Sequence, residues 1–273
     1  LNAIYRLSSS VGKITILLSL VVLVVAGISA PDLIPVHPFG RPVTGHPGIK
    51  ILRYQAFECG YLPRVKLSLW VAYCYYQEQI NTLPSRYRGR FVPDTFRLAK
   101  NEAGFPQCYD SIPEFIRYPI DKGHLAPDAA IKVFGRTAQR ETYFLTNIIP
   151  QFASTNRFIW SGLEKKIRRW GEKDTVWVLV GPVFFAHRDT CWLGTHNIAI
   201  PHALYAVVIK KRPRQLLGFL IPNDSIRRYT RALPRFMVSI DSIEKITGFD
   251  FCPELADSTA RRLEARTPAQ LWE

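Results

Sequence analysis

Apolar residues along this chain fall into short, dense runs separated by turn-forming residues. "LSLWVAYCYY" (Leu67 to Tyr76), "TYFLTNII" (Thr142 to Ile149), "TVWVLVGPVF" (Thr175 to Phe184), "ALYAVVIKK" (Ala203 to Lys211) and "LLGFLIPN" (Leu216 to Asn223) are rich in β-branched and aromatic side chains. Such runs predict strands. A helical rhythm is predicted for residues 155–171, around 225–234, for "SIDSIEKITG" (Ser239 to Gly248) and for the charged piece at 255–266. Strands that do not alternate strictly with helices predict an α+β fold, a mainly antiparallel central sheet flanked by helices. No internal repeat, heptad run or low-complexity tract is present.

The longest apolar run is different in kind. Ile14 to Ala30, "ITILLSLVVLVVAGISA", has no charge, follows Arg6 and Lys13 and precedes Pro31. A span this short is at the lower limit for crossing ~30 Å of hydrocarbon, and the small residues at its end resemble a leader-peptidase site. Residues 1–30 are therefore expected to be a signal peptide or a membrane anchor. Either would carry the rest of the chain across a membrane, secreted, periplasmic or anchored on the outer side, because the basic flank stays inside. Residues 31–50, "PDLIPVHPFGRPVTGHPGIK", read as a Pro- and Gly-rich linker, with one domain over residues 51–273.

Composition narrows the partners. The 36 Lys and Arg against 22 Asp and Glu give a formal charge of +14, which attracts phosphates or anionic headgroups. Only Arg6 and Lys13 precede residue 31, so the excess belongs to the domain. Cys59, Cys74, Cys108, Cys191 and Cys252 form no C-x-x-C pair, so a zinc ribbon or thioredoxin motif has no support, and most are expected to be buried free thiols. His187 and Cys191 could touch one ion, but two ligands without further partners are more simply incidental.

Candidate chemistry begins at "DKGHLAP", Asp121 to Pro127. A loop histidine is usually without a catalytic role. His124, however, follows a glycine that permits close approach, and imidazole titrates near neutrality, which suits a general base for water beside a metal and a phosphate. Downstream, "NIIPQFASTNRFIWSGLEKKIRRW" (Asn147 to Trp170) reads as a strand end, a turn at Pro150 and a helix capped by Ser154 or Thr155. Asn156, Trp160, Glu164 and Arg168 follow at steps of four, and on an α-helix such a row stays on one broad stripe. The ordinary reading is a half-buried helix face with an outer Glu164–Arg168 pair. The chemical reading gives the Asn156 amide oxygen to Mg²⁺, which keeps several waters and takes few protein ligands. Glu164, about 12 Å further along the axis, suits a metal-bound water better than the ion itself.

Together these segments resemble a known family, the sugar-non-specific DNA/RNA endonucleases with a ββα-metal finger, including endonuclease G-type enzymes. The family signature D-R-G-H stands here as Asp121-Lys122-Gly123-His124, and N-x-x-P-Q followed by N-x-x-x-W-x-x-L-E stands as "NIIPQ" and "NRFIWSGLE" with no change of spacing. Softer likeness runs from about Ile51 to Leu255, through "LWVAY", "RFVPD", "VWVLVGPVF", "GFLIPN" and "ITGFDFCPEL".

The resemblance implies His124 as general base, Asn156 as direct Mg²⁺ ligand with Mn²⁺ as a substitute, Glu164 as partner of metal-bound water, Asn147 as a supporting active-site amide, and Lys122 and Arg168 on phosphate. It implies hydrolysis of DNA and RNA with 5′-phosphate products, weak sequence preference and strong salt dependence. It also implies a second copy of the chain as a partner, since members often dimerise. Lys122 departs from the usual Arg and loses the planar fork that grips phosphate twice. Arg86, Arg88 and Arg90 in "SRYRGRF" compete for an upstream arginine, with Arg90 the nearest match. "LAPDAA" brings an acid forward to Asp128.

Two rival readings remain at this level: a decayed nuclease that only binds nucleic acid or a membrane surface, and a phosphodiesterase for a narrower ester. A P-loop, a serine-hydrolase elbow and a zincin have no motif here.

Overall fold

The structure, a computed structural model, describes residues 36–76, 87, 89–104, 109, 117–193 and 198–273. The apolar segment at 14–30 lies outside these residues, and no helix among them is long and apolar enough to cross a membrane.

Strands follow in the order β1 (Val43–Thr44), β2 (Lys50–Arg53), β3 (Phe57–Leu62), β4 (Leu67–Tyr75), β5 (Ile120–His124), β6 (Ile148–Phe152), β7 (Val176–Val183), β8 (Cys191–Leu193), β9 (Ile198–Ile200), β10 (Ala203–Lys210), β11 (Gln215–Pro222), β12 (Met237–Val238) and β13 (Phe249–Asp250). The α-helices are α1 (Asp128–Ile131), α2 (Arg136–Glu141), α3 (Ser161–Gly171), α4 (Ile240–Thr247) and α5 (Asp257–Glu264). A seven-stranded sheet in the order β12-β11-β10-β7-β4-β3-β2 is antiparallel at every pairing, with β5–β6 as a separate two-stranded ribbon. This is the expected α+β class.

The central strands explain the dense apolar runs. Every residue of β7 is buried, as are nearly all of β4 and β10, so both faces of the sheet are covered and a polar alternation would have no water to meet. On α4, Ser239 accepts the Ser242 amide as N-cap, and Gly248 takes a left-handed φ of 71° just past the helix.

Four expectations are corrected. Thr142 to Ile149 is not one strand: residues 142–147 form a turn and a 3₁₀ segment, and β6 starts at Ile148. Leu145 and Phe144 are buried there as loop residues, so their hydrophobicity reported burial and not strand geometry. The helix expected at 155–171 begins as a π-helix over Thr155–Trp160 before α3. Residues 225–234 hold no α-helix, and a 3₁₀ segment covers Thr230–Phe236.

Residues 36–50 of the expected linker belong to the compact unit that runs from Val36 to Glu273. Its fastening is the carboxylate of Glu58, only 6% exposed, which pairs with His37 at 2.9 Å, Arg41 at 2.5 Å and Arg53 at 3.0 Å. Burial alone would raise Glu58; hydrogen bonds from His37 and Arg41 hold it down at about 2. Val43 and Thr44 then pair with Asp250 and Phe249.

Cys59, Cys74 and Cys252 are buried free thiols and Cys191 is an exposed one; Cys108 lies outside the described residues.

Candidate active site

The ribbon β5–β6 and the helix behind it form one continuous unit. Register pairs His124 with Ile148 and Asp121 with Gln151. Gly123 is needed for space: a Cβ there would sit 2.3 Å from the Gln151 side-chain carbon Cδ.

The hydroxyls expected to cap the helix serve another purpose. Ser154 Oγ donates to the Asp224 carbonyl at 2.6 Å, and Thr155 Oγ1 donates to the Pro222 carbonyl at 3.1 Å. They tie the helix start to the end of β11, and neither caps the helix. Asn223 completes the joint, donating to the carbonyls of Pro150 and Pro201 and accepting from the Phe152 amide. The ribbon is thereby bolted to the main sheet.

Asp121 organises the site. Its carboxylate accepts from Asn156 Nδ2 at 2.9 Å and from both Nε and Nη2 of Arg157, at 2.8 and 2.6 Å. Burial would raise Asp121, but these bonds hold it below the ordinary carboxylate range. With its amide nitrogen tied down, Asn156 is left with Oδ1 as its open oxygen. A wide first turn suits this position, since π-type turns within helices are frequent at functional sites.

His124 ends β5 with its ring 5.5 Å from Phe91 and edge-on to Tyr143 at 5.2 Å. Its Nε2 is buried with no hydrogen-bond partner, so Nδ1 is the nitrogen left for the open side of this half-buried residue. Burial pushes the imidazole down to about 4, opposed by the charge of Asp128. It is neutral at pH 7. Asp128, the acid whose forward position had no sequence explanation, accepts from Gln139 at 2.6 Å and holds the Tyr143 hydroxyl.

Glu164 lies on α3 and burial raises it to about 7, against the nearby charges of Arg168 and Lys165 and the Trp160 indole. Arg168 has a buried Nη1 with no partner. Lys122 is half-buried on β5 with its ammonium 5.6 Å from the Tyr109 ring.

Two of the expected residues have surroundings of their own. Asn147 is fully buried; it accepts from the Ala126 amide and donates to the carbonyls of Ala126 and Thr142. Its side-chain oxygen and nitrogen are both engaged with the turn that follows His124. Arg90 is exposed and forms no hydrogen bond or ion pair with the other site residues, while its neighbour Phe91 packs on His124. Arg86 and Arg88 lie outside the described residues. Sequence reasoning missed Asp121 and Gln151 as site residues, although both sit inside the motifs. Strand register would have exposed the pair.

A hard cation fits this donor set. The Asn156 amide oxygen and the Glu164 carboxylate stand on consecutive helical segments, and buried polar atoms of His124, Gln151 and Arg168 have no hydrogen-bond partner. Elsewhere among the described residues, the one group of three ligand-type side chains is Asp241, Glu244 and Glu264; His187 with Cys191 forms none.

A sequence profile of the DNA/RNA non-specific endonucleases matches residues 36–258. The mitochondrial nuclease EXOG of Mus musculus is 28% identical over 233 residues, covering 80% of this chain and 60% of the relative. Human mitochondrial endonuclease G is 27% identical, covering 77% and 72%, and nuclease C1 of Cunninghamella echinulata var. echinulata is 27% identical, covering 87% and 95%. The chain thus spans about three fifths of the length of the mouse EXOG relative. The solved EndoG in complex with EndoGI superimposes with a TM-score of 0.68 at 21% identity, covering 78% of this chain and 89% of that one.

Proposed function

Because the chain belongs to the DNA/RNA non-specific endonuclease family, we propose that it is a Mg²⁺-dependent endonuclease that hydrolyses phosphodiester bonds of DNA and RNA and leaves 5′-phosphates. The observation that carries this reading is the Asp121–Asn156 hydrogen bond, which turns an amide into a neutral oxygen ligand on the same ββα unit that ends β5 in a neutral histidine.

Asn156 would hold the ion through Oδ1, and Glu164 would hold water beside it. When bound, Mg²⁺ supplies positive charge to the phosphate and the leaving oxygen. His124 takes a proton from the attacking water through Nδ1, for which its neutral form is already present. Lys122 and Arg168 face the growing negative charge, and Arg168 has an unspent donor for it. Contacts of this kind read phosphate and not bases, so sequence preference is weak.

The N-terminal segment at 1–30 is read as a leader or an anchor delivering the domain across a membrane; the relatives named mitochondrial agree with delivery into a compartment.

The test is digestion of supercoiled plasmid and of RNA with Mg²⁺ or EDTA, beside His124→Ala and Asn156→Ala. Cutting of both substrates that needs the metal and both side chains is the expected result. A folded protein that cuts neither yet retards DNA in a gel would make this a binding protein on a decayed nuclease.

A further inference from the structure

Two residues beyond Asn156, Phe158 begins a chain of ring contacts that leads away from the site. The Arg227 guanidinium lies 4.3 Å over the Phe158 ring, Phe158 meets Tyr229 edge-on at 5.5 Å, and Arg231 lies 5.8 Å over Tyr229. Arg227, Tyr229 and Arg231 are exposed.

Arg228, between them, points the other way: it pairs doubly with Asp224 at 2.6 and 2.9 Å and covers Phe236. Its inward anchoring leaves Arg227 and Arg231 outward, and no carboxylate among the described residues pairs with either. The backbone is fixed as well. Asp224 exchanges hydrogen bonds with Thr155, and a Cβ on Gly162 of α3 would sit 2.2 Å from Thr230 Oγ1. The segment therefore packs directly against the helix that carries Asn156 and Glu164.

A merely solvated basic face needs neither the stacking nor the close packing. Stacked guanidinium groups have already lost rotamer freedom, so their remaining N–H edges bind phosphate at a smaller entropic cost.

We infer that the strip Arg227–Phe158–Tyr229–Arg231 is a substrate subsite that holds a nucleic-acid strand beyond the scissile phosphate. Arg227 and Arg231 take backbone phosphates, and the open Tyr229 ring takes a base or sugar face. This rests on the nuclease reading and adds the direction in which the strand leaves the site.

The experiment measures binding of fluorescent duplex DNA to His124→Ala protein across a salt series, with and without Arg227→Ala and Arg231→Ala together. Lys211→Ala with Arg214→Ala, at the opposite end of β11, controls for bulk charge. Each lost phosphate contact lowers the log–log salt slope by about 0.9, so the strip variant should lose roughly 2 units of slope and about tenfold or more in affinity at ~0.1 M salt. Tyr229→Ala should weaken binding with the slope kept. An unchanged slope in the strip variant, or an equal loss in the control, would overturn the proposal. Since binding is read without cleavage, failure of the nuclease reading shows separately, as wild-type protein that does not cut.

Discussion

Asp121 and Asn156 are joined by a 2.9 Å hydrogen bond across the ββα unit, 35 residues apart in sequence. The same carboxylate takes Arg157 through two bonds, so one acid fixes the orientation of the Asn156 amide, the proposed metal ligand, and neutralises the cation beside it.

Replacing Asp121 with Asn removes that charge and half of the acceptor capacity. Partners behind metal ligands typically contribute 10–100-fold to metal affinity or activity. Asp121→Asn should therefore raise the Mg²⁺ concentration giving half-maximal cleavage by about that factor, with a smaller change in KM for DNA. Initial rates over a Mg²⁺ series would check this; an unchanged metal requirement would assign Asp121 to Arg157 alone.

Asn147→Ala should destabilise the fold by about 2–4 kcal/mol, because it leaves the Ala126 amide and two buried carbonyls without their partner. Urea unfolding is the measurement. A loss of activity at full stability would instead place Asn147 in the chemistry.

The pH behaviour of His124 carries a definite sign. Its folded value lies near 4, below the ordinary ~6.5 of an unfolded histidine. Between those values the unfolded chain binds a proton that the folded one refuses, so this contribution to stability is complete above pH 6.5 and is lost on acidification toward 4. NMR titration of metal-free protein should show the His124 ring still neutral at about pH 5.5. A midpoint near 6.5 would mean that the ring is solvated.

Glu244, on α4, gives the opposite sign. Burial raises it to about 7, helped by Glu264, Asp250 and Asp241, although its Oε1 accepts the Phe251 amide. Its stabilising contribution is complete below the unfolded value near 4.5 and is lost as pH rises through 7. Glu244→Gln keeps an acceptor without the charge, so it should be more stable than the parent at pH 8 and 9 and close to it at pH 5. Melting temperatures across that range decide the matter; parallel curves would show Glu244 to be solvated.

The sequence by itself determined the elements that burial dictates and the chemistry carried by contiguous segments. β4, β7, β10 and β11 were legible because strands covered on both faces are largely apolar, and the family motifs that hold His124, Asn156 and Glu164 were legible because they sit on two local stretches of one ββα unit. Tertiary structure decided what depends on partners distant in the chain. Glu58 draws Val36 to Lys50 into the domain, the end of β11 takes the hydroxyls expected to cap the helix, and Arg227 and Tyr229 reach Phe158 from about 70 residues away. Hydrophobic spacing records whether a side chain is buried. It does not record which distant residue meets it, because strand order and register are set by the packing of the whole domain.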